Sequence, residues 1–249
     1  MMDYKKVEKK IVKFIKDQVN DAGAYGVVLG MSGGLDSSVC ATLCVKALGK
    51  ENVTALIMPA DGSTPVDMGD AQELARKLGI GYKVIPLTNA LHQLTKNLRH
   101  EHLAYANMAP RIRMALMYYH ANMANYLVIG CGNKSELMTG YFTKFGDGGC
   151  DIMPIGELYK TEVMKLAQHL ELPEGIINKA PSANLWPGQT DEQELGMSYA
   201  ELDKILPQLK EKDAAISKKT GIGKNKIAQI KELVERSAHK RNLPPICKI

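Results

Sequence analysis

No stretch of the 249-residue chain approaches the roughly 18 consecutive apolar residues that a membrane-spanning helix requires. The N-terminus, Met1-Met2-Asp3-Tyr4-Lys5-Lys6, is charged and no apolar segment follows it, so a signal peptide is not expected. Five cysteines (Cys40, Cys44, Cys131, Cys150 and Cys247) form no CxxC pair and have no histidines at zinc spacing. Their odd number and scattered positions fit reduced thiols, and a cytoplasmic location is expected. A strong charge of one sign is lacking too. The balance of 32 basic against 27 acidic residues, a net +5, does not by itself imply nucleic acid and suits phosphate-bearing small molecules equally well. Internal repeats and low-complexity tracts are absent. What remains, 45% hydrophobic and 24% charged residues, is ordinary for a soluble globular chain with one sizeable core.

Apolar periodicity predicts a helix over 5–20, through Val7, Ile11, Phe14, Ile15 and Val19. Short apolar runs at 25–30, 53–58, 82–85 and 126–130 read as strands, with helices between them at 36–48, 67–78 and one or two over 88–123. Gly49 and Gly79 stop the first two of these helices, and Pro110 either starts or kinks the last. Strands apolar on both faces, alternating with helices, imply an α/β fold: a doubly wound, mostly parallel sheet with helices on both faces. Beyond residue 140 the pattern becomes loop and helix, including a helix over 156–170 and a capping box at Ser198-Tyr199-Ala200-Glu201. A single domain, 1–249, is expected: an N-terminal helix to residue 24, a nucleotide-binding core over 25–135, and a substrate loop and helical part over 136–249. Ligands of such folds sit beyond the carboxyl ends of the strands, which directs attention to the segments after Leu29, Met58 and Ile129.

After the first strand stands Gly30-Met31-Ser32-Gly33-Gly34-Leu35-Asp36-Ser37-Ser38. Paired glycines permit a turn whose N–H groups converge on an anion, and the following helix adds its positive end. No Gly-Lys-Ser/Thr closes the segment, so it is not a Walker loop, and it has no GxGxxG. Asp36 reads either as a helix N-cap alone or as a cap that also helps hold Mg²⁺. After the fourth strand, Gly130-Cys131-Gly132-Asn133-Lys134-Ser135-Glu136 leads into a glycine-rich, charged segment, 139–151, with the character of an element that folds over a substrate.

The string SGGLDSS resembles the pyrophosphate-binding loop of the ATP pyrophosphatase family, whose members cleave ATP between its α and β phosphates. GNKSEL, GYFTKFGDGG, DIMPIGELYK, KAPSANLWPGQTDE and SAHKRNLPP make the resemblance narrower: together they look like the ammonia-dependent NAD synthetases of bacteria and archaea, across residues 30–245. The resemblance implies that Gly30, Met31, Ser32, Gly33, Gly34, Leu35, Asp36 and Ser37 cradle ATP, with Lys160, Ser182 and Cys131 also in contact. The family often has threonine at the last two positions. It implies Mg²⁺ on Asp36 and Glu136, and deamido-NAD held by Arg111, Lys144, Asp151, His239 and Lys240, near the boundary of a homodimer. The expected catalytic group is Asp36, Glu136 and Lys160, with Asp147 as a candidate for handling the ammonia proton.

Read without the resemblance, several of these residues have plainer interpretations. Arg111 and Arg113 lie two apart on a helix, so only one faces a pocket, and the family pattern selects Arg111. Lys160 reads as a solvated lysine, Glu136 as a salt-bridge partner, and His239-Lys240-Arg241 as a basic helix end. The Met108–Met123 cluster reads as core or subunit interface.

The implied reaction transfers AMP to a carboxylate and lets ammonia displace it, which needs no covalent enzyme intermediate and hence no serine or cysteine triad. The short segment before the first strand leaves no room for a glutamine-hydrolysing domain, so free ammonia is the expected donor. Neither nucleic acid nor membrane is an expected partner. The competing readings are another adenylating enzyme sharing only SGGLDSS, a silent nucleotide-binding module, and a nucleic-acid binder using Lys218, Lys219, Lys224 and Lys226.

Overall fold

A computed structural model of the chain describes residues 2–99, 101–186 and 188–248. Its centre is a four-stranded sheet of β1 (Gly26–Gly30), β2 (Val53–Ile57), β3 (Gly81–Val84) and β4 (Tyr126–Ile129), in the order β3-β2-β1-β4. Every pairing is parallel. The chain winds outward from β1 to β3, then crosses back to add β4 on the other side of β1. That reversal opens a crevice between the carboxyl ends of β1 and β4.

Side chains alternate across the sheet and both faces are covered, which is why the strands read as continuous apolar runs. Val27, Leu29, Val53, Ala55, Ile57 and Ile129 enter one core. There they meet α1 (Tyr4–Asp21), α2 (Leu35–Leu48) and α3 (Pro65–Leu78). Val28, Leu56 and Val128 point the other way. They pack against α4 (Thr88–Thr95) and, beyond the short α5 (His102–Ala106), against α6 (Met108–Ala124). Next in the chain come α7 (Lys134–Thr139), α8 (Lys160–His169) and α9 (Glu174–Ile177). The apolar sides of α8 and α9 join the first core through Val163, Leu166, Ala167, Ile176 and Ile177. A third cluster, around Leu202, Ile205, Ile216, Ile227 and Ile230, holds α10 (Asp191–Leu195), α11 (Tyr199–Ile205), α12 (Asp213–Thr220) and α13 (Lys224–Arg236) together.

Three details differ from the sequence reading. β3 is largely exposed, with Val84 at 41%, because it is the outermost strand and is paired along one side. The 88–123 region holds three helices, with Pro110 in the first turn of α6, where its missing N–H costs no bond. The helix expected over 156–170 begins only at Lys160, which has consequences for that residue. Among the described residues no helix is long and apolar enough to cross a membrane.

Candidate active site

A cleft of about 890 Å³ lies over the carboxyl ends of β1, β2 and β4. Its inner wall is the turn from β1 into α2. Met31 still pairs with β2, its N–H donating to the Leu56 carbonyl at 2.9 Å. The chain then reverses at Gly33, whose φ of +77° suits glycine and whose missing Cβ lets the turn lie directly on the Asp67 carbonyl. Hydroxyls fill the loop: Ser32 Oγ lies 3.2 Å from Ser37 Oγ and accepts from the Gly34 N–H at 3.2 Å. Ser37 and Ser38 donate to the Gly34 carbonyl at 3.1 and 2.7 Å. Gly34 is the N-cap of α2 and offers no side chain, so the first turn's N–H groups face the cleft mouth without a capping oxygen.

Asp36 is therefore not the N-cap. It lies in the first turn of α2, where it reaches across the crevice to β4's side. Asn133 Nδ2 donates to its Oδ1 at 3.2 Å, and Lys160 Nζ pairs with its Oδ2. Capping by a carboxylate, considered for Asp36 on α2, is seen instead at Glu136 on α7. Asn133 and Glu136 form a capping box on α7: the Glu136 N–H donates to Asn133 Oδ1 at 3.1 Å, and Glu136 Oε2 accepts from the Asn133 N–H at 3.2 Å. The other oxygen, Oε1, is left facing Lys160 Nζ at 3.6 Å.

Lys160, read from sequence as a solvated lysine, is 4% exposed. As the first residue of α8 its N–H reaches Ser135 Oγ at 3.0 Å, and Asp203 braces that helix end by accepting from the Thr161 N–H at 2.9 Å. Its ammonium lies 5.3 Å from the Tyr199 ring centre. Burial alone would lower its pKa, but Asp36 and then Glu136 outweigh burial and hold it above the ordinary lysine value. Burial first, and Asp36 second, push the Glu136 carboxyl up to about 8. Two carboxylates and one ammonium from three separate helices thus meet beside the glycine-rich turn.

Asp191 was missed by the sequence reading. It lines the cleft at 3% exposure, receives the Tyr199 hydroxyl on Oδ2 at 3.0 Å, and has no hydrogen-bond partner for Oδ1 among the described residues. Burial raises its pKa. Asn133 and Asp191 both stand inside strings that were singled out, GNKSEL and KAPSANLWPGQTDE, but nothing in those strings distinguishes them before folding.

Ser182 and Cys131 line the cleft as well, the serine accepting from the Asn184 N–H at 3.0 Å. The roof is the glycine-rich segment expected to fold over a substrate, and it is tied down in several places. Thr143 donates to Asn107 Oδ1 at 2.6 Å, and its own N–H reaches Asp147 Oδ1 at 2.9 Å. Lys240 holds the carbonyls of Gly140 and Phe142 at 2.7 and 2.8 Å. Asp147 faces the cleft, and the protein packed round its carboxyl raises its pKa.

Of the five positions implied for deamido-NAD, Lys240 is the one that lines this cleft within the chain. Arg111 is exposed and outside it, whereas Arg113 faces in, with Nε donating to the Met58 carbonyl at 3.0 Å. Lys144 bonds the His239 carbonyl at 2.7 Å, and His239 is exposed. Asp151 lies along the side of β4 away from β1, where the next residue, Ile152, bridges to Ile129; its carboxylate accepts from the Val128 N–H at 2.7 Å and from the Tyr118 hydroxyl at 3.0 Å.

This geometry, a glycine-rich turn at a topological switch point facing a carboxylate pair and a buried lysine, suits a magnesium-bound triphosphate. The sequence model of the NAD synthase family matches residues 7–244. The chain belongs to the NAD synthase family. Its relatives include the NH(3)-dependent NAD(+) synthetase of Archaeoglobus fulgidus, 51% identical over 250 residues that cover 100% of this chain and 98% of that protein. The enzyme of the same name from Methanosarcina mazei is 44% identical over 98% of each chain. Among solved structures, the NH3-dependent NAD synthetase of Campylobacter jejuni superposes with a TM-score of 0.86 at 37% identity, and a structure described as NMN synthetase from Francisella tularensis with 0.90 at 36%; each match covers 100% of both chains.

Proposed function

We propose that the chain is an ammonia-dependent ligase that amidates deamido-NAD to NAD, transferring AMP from ATP to the pyridine carboxylate and releasing AMP and pyrophosphate. The observation that carries this reading is the meeting of Asp36, Glu136 and Lys160 beside the Gly30–Ser37 turn, in a member of the NAD synthase family. Full-length relatives named for their use of ammonia support ammonia over glutamine as the nitrogen donor.

A carboxylate resists ammonia because its leaving group would be an oxide. Adenylation converts that oxygen into part of a phosphate leaving group, and ammonia then expels AMP. The protein's task is positioning and charge neutralisation at the α phosphate. Lys160 and the N–H groups at the start of α2 would supply both, with the rest of the turn and Ser182 and Cys131 bounding the nucleotide.

The donor set suits Mg²⁺: two carboxylate oxygens, leaving further positions for phosphate oxygens and water, where a softer ion would seek thiolate or imidazole. The raised Glu136 pKa reflects burial first and the neighbouring Asp36 charge second, and a bound cation would offset both. Mg²⁺ held by Asp36 and Glu136 would neutralise phosphate charge. Asp147, facing the cleft from the roof, is proposed to handle the ammonia proton.

Deamido-NAD is proposed to lie between Lys240 and the roof and to extend toward Arg111, Lys144, Asp151 and His239, at the boundary of a homodimer. Exposed apolar side chains on and near α6 support such a contact, with Tyr119 at 61%, Met123 at 69% and Phe145 at 57%. The free cysteines fit a cytoplasmic enzyme.

The neighbour described as an NMN synthetase defines the alternative substrate, nicotinic acid mononucleotide. An assay with ATP and Mg²⁺ compares deamido-NAD with that mononucleotide, and ammonium with glutamine, while following the adenine product. AMP formation with deamido-NAD and ammonium is expected. ADP formation would overturn the reaction, and preference for the mononucleotide would overturn the substrate.

A further inference from the structure

Lys179 has no part in the chemistry above, yet it joins three separate pieces of the cleft. It lies between α9 and α10, and its ammonium makes three short contacts: the Gly33 carbonyl at 3.0 Å, Asp67 Oδ1 at 2.9 Å and Asp70 Oδ2 at 2.5 Å. These acceptors match its three protons. Two carboxylates neutralise its charge, so it is not free to act as a phosphate ligand. Its remaining contact is with the turn itself.

The Gly33 carbonyl and the Gly34 N–H belong to one planar trans peptide unit and point in opposite directions. Fixing the carbonyl against Lys179 turns the N–H to the other side, into the loop. There it meets Ser32 Oγ at 3.2 Å, a long bond that a phosphate oxygen would improve on. Glycine on both sides of this peptide removes the Cβ that normally restricts rotation, so the sequence alone leaves the unit free to turn over. A hydrogen bond from a charged donor supplies the missing restriction. Asp67, which Lys179 grips, also accepts from Asn184 Nδ2 at 3.2 Å, so the segment carrying Ser182 is fastened to the same point.

We propose that Lys179 is a positioning residue that holds the Gly33–Gly34 peptide with its N–H toward the β and γ phosphates, thereby setting affinity for the pyrophosphate portion of ATP. This deepens the reading of the Gly30–Ser37 turn as the pyrophosphate grip and rests on it. The consequence is selective. Pyrophosphate should sense Lys179, whereas AMP and deamido-NAD should not.

The test measures KM values and product inhibition in the full-length enzyme, comparing the parent with Lys179→Met, Asp70→Asn and Ser37→Ala. Lys179→Met is expected to raise both the KM for ATP and the inhibition constant for pyrophosphate by about ten- to a hundred-fold, the range for one hydrogen bond to a charged group. The inhibition constant for AMP and the KM for deamido-NAD should stay within about two-fold. Asp70→Asn is isosteric and keeps Lys179 on Gly33, so it should shift pyrophosphate in the same direction by less, and it serves if the methionine variant fails to fold. Equal weakening of pyrophosphate and AMP, or no change in pyrophosphate, would overturn the proposal. Ser37→Ala separates the two levels of the argument. If it weakens pyrophosphate and Lys179→Met does not, only this inference fails; if the parent is not inhibited by pyrophosphate in competition with ATP, the phosphate grip itself fails.

Discussion

Replacing Lys160 by methionine keeps the length of the side chain and removes its charge. The parent ammonium is buried between Asp36 and Glu136, whose side chains are 16% and 17% exposed. Removing one partner from a buried ionic cluster typically costs about 3–5 kcal/mol, because the charges left behind are desolvated and unpaired. The lower end applies here, since Glu136 can take up a proton. About 3 kcal/mol corresponds to a fall of about 6–12 °C in Tm for a chain of this size.

The pH dependence has a definite sign. A carboxyl whose pKa is raised on folding stabilises the fold while protonated; that contribution is complete below the ordinary value of 4.5 and is lost as pH rises through about 8. Losing Lys160 raises Glu136 further, so the variant's deficit should be largest at pH 8 and smaller at pH 6. Mg²⁺ should also narrow it, by supplying the missing positive charge. Turnover should not recover in parallel, because Lys160 is also proposed to face the reacting phosphate, and a loss of about 10²–10³ in rate should persist with saturating Mg²⁺. Thermal denaturation at pH 6 and 8, with and without Mg²⁺, checks the first part and steady-state rates check the second. A variant melting within about 2 °C of the parent at pH 8 without Mg²⁺ would refute the electrostatic reasoning, and one with near-parental turnover would refute the catalytic assignment.

Other substitutions test the remaining assignments. With Mg²⁺ held by Glu136 as proposed, a proton would compete with the cation as pH falls below 8, so the Mg²⁺ required for half-maximal rate should rise by up to about ten-fold per pH unit; Glu136→Gln should need more Mg²⁺ throughout and lose this slope. Arg111 is exposed, so Arg111→Ala should change stability by less than about 0.5 kcal/mol; a raised KM for deamido-NAD would support its assignment and an unchanged one would remove it. Arg113→Ala should instead lower Tm by several degrees, having lost a partly buried bond to the Met58 carbonyl. Asp147→Asn can still accept from the Thr143 N–H, so a fall of about 10²-fold or more in kcat with the fold intact would support proton handling, and unchanged turnover would exclude it.

Linear order carried a great deal. Alternation of apolar runs with helical periodicity determined the parallel sheet, because strands buried on both faces admit few polar residues. Gly33 and Gly34 announced a turn that only small residues can make, and the strings from SGGLDSS to SAHKRNLPP marked the family because each has its own residue order. Periodicity does not report which distant side chains meet. Asp36, Glu136 and Lys160 come together only because β4 returns beside β1 and α8 begins at the crevice, and that encounter turns an apparently solvated lysine into a buried charge of the cleft. The choice between Arg111 and Arg113 depended on how α6 is rotated against the sheet. Lys179 was one lysine among many until folding set Gly33, Asp67 and Asp70 around it. Local sequence determines backbone shape and the sign of each charge; the environment that decides what a charge does is assembled from segments more than a hundred residues apart.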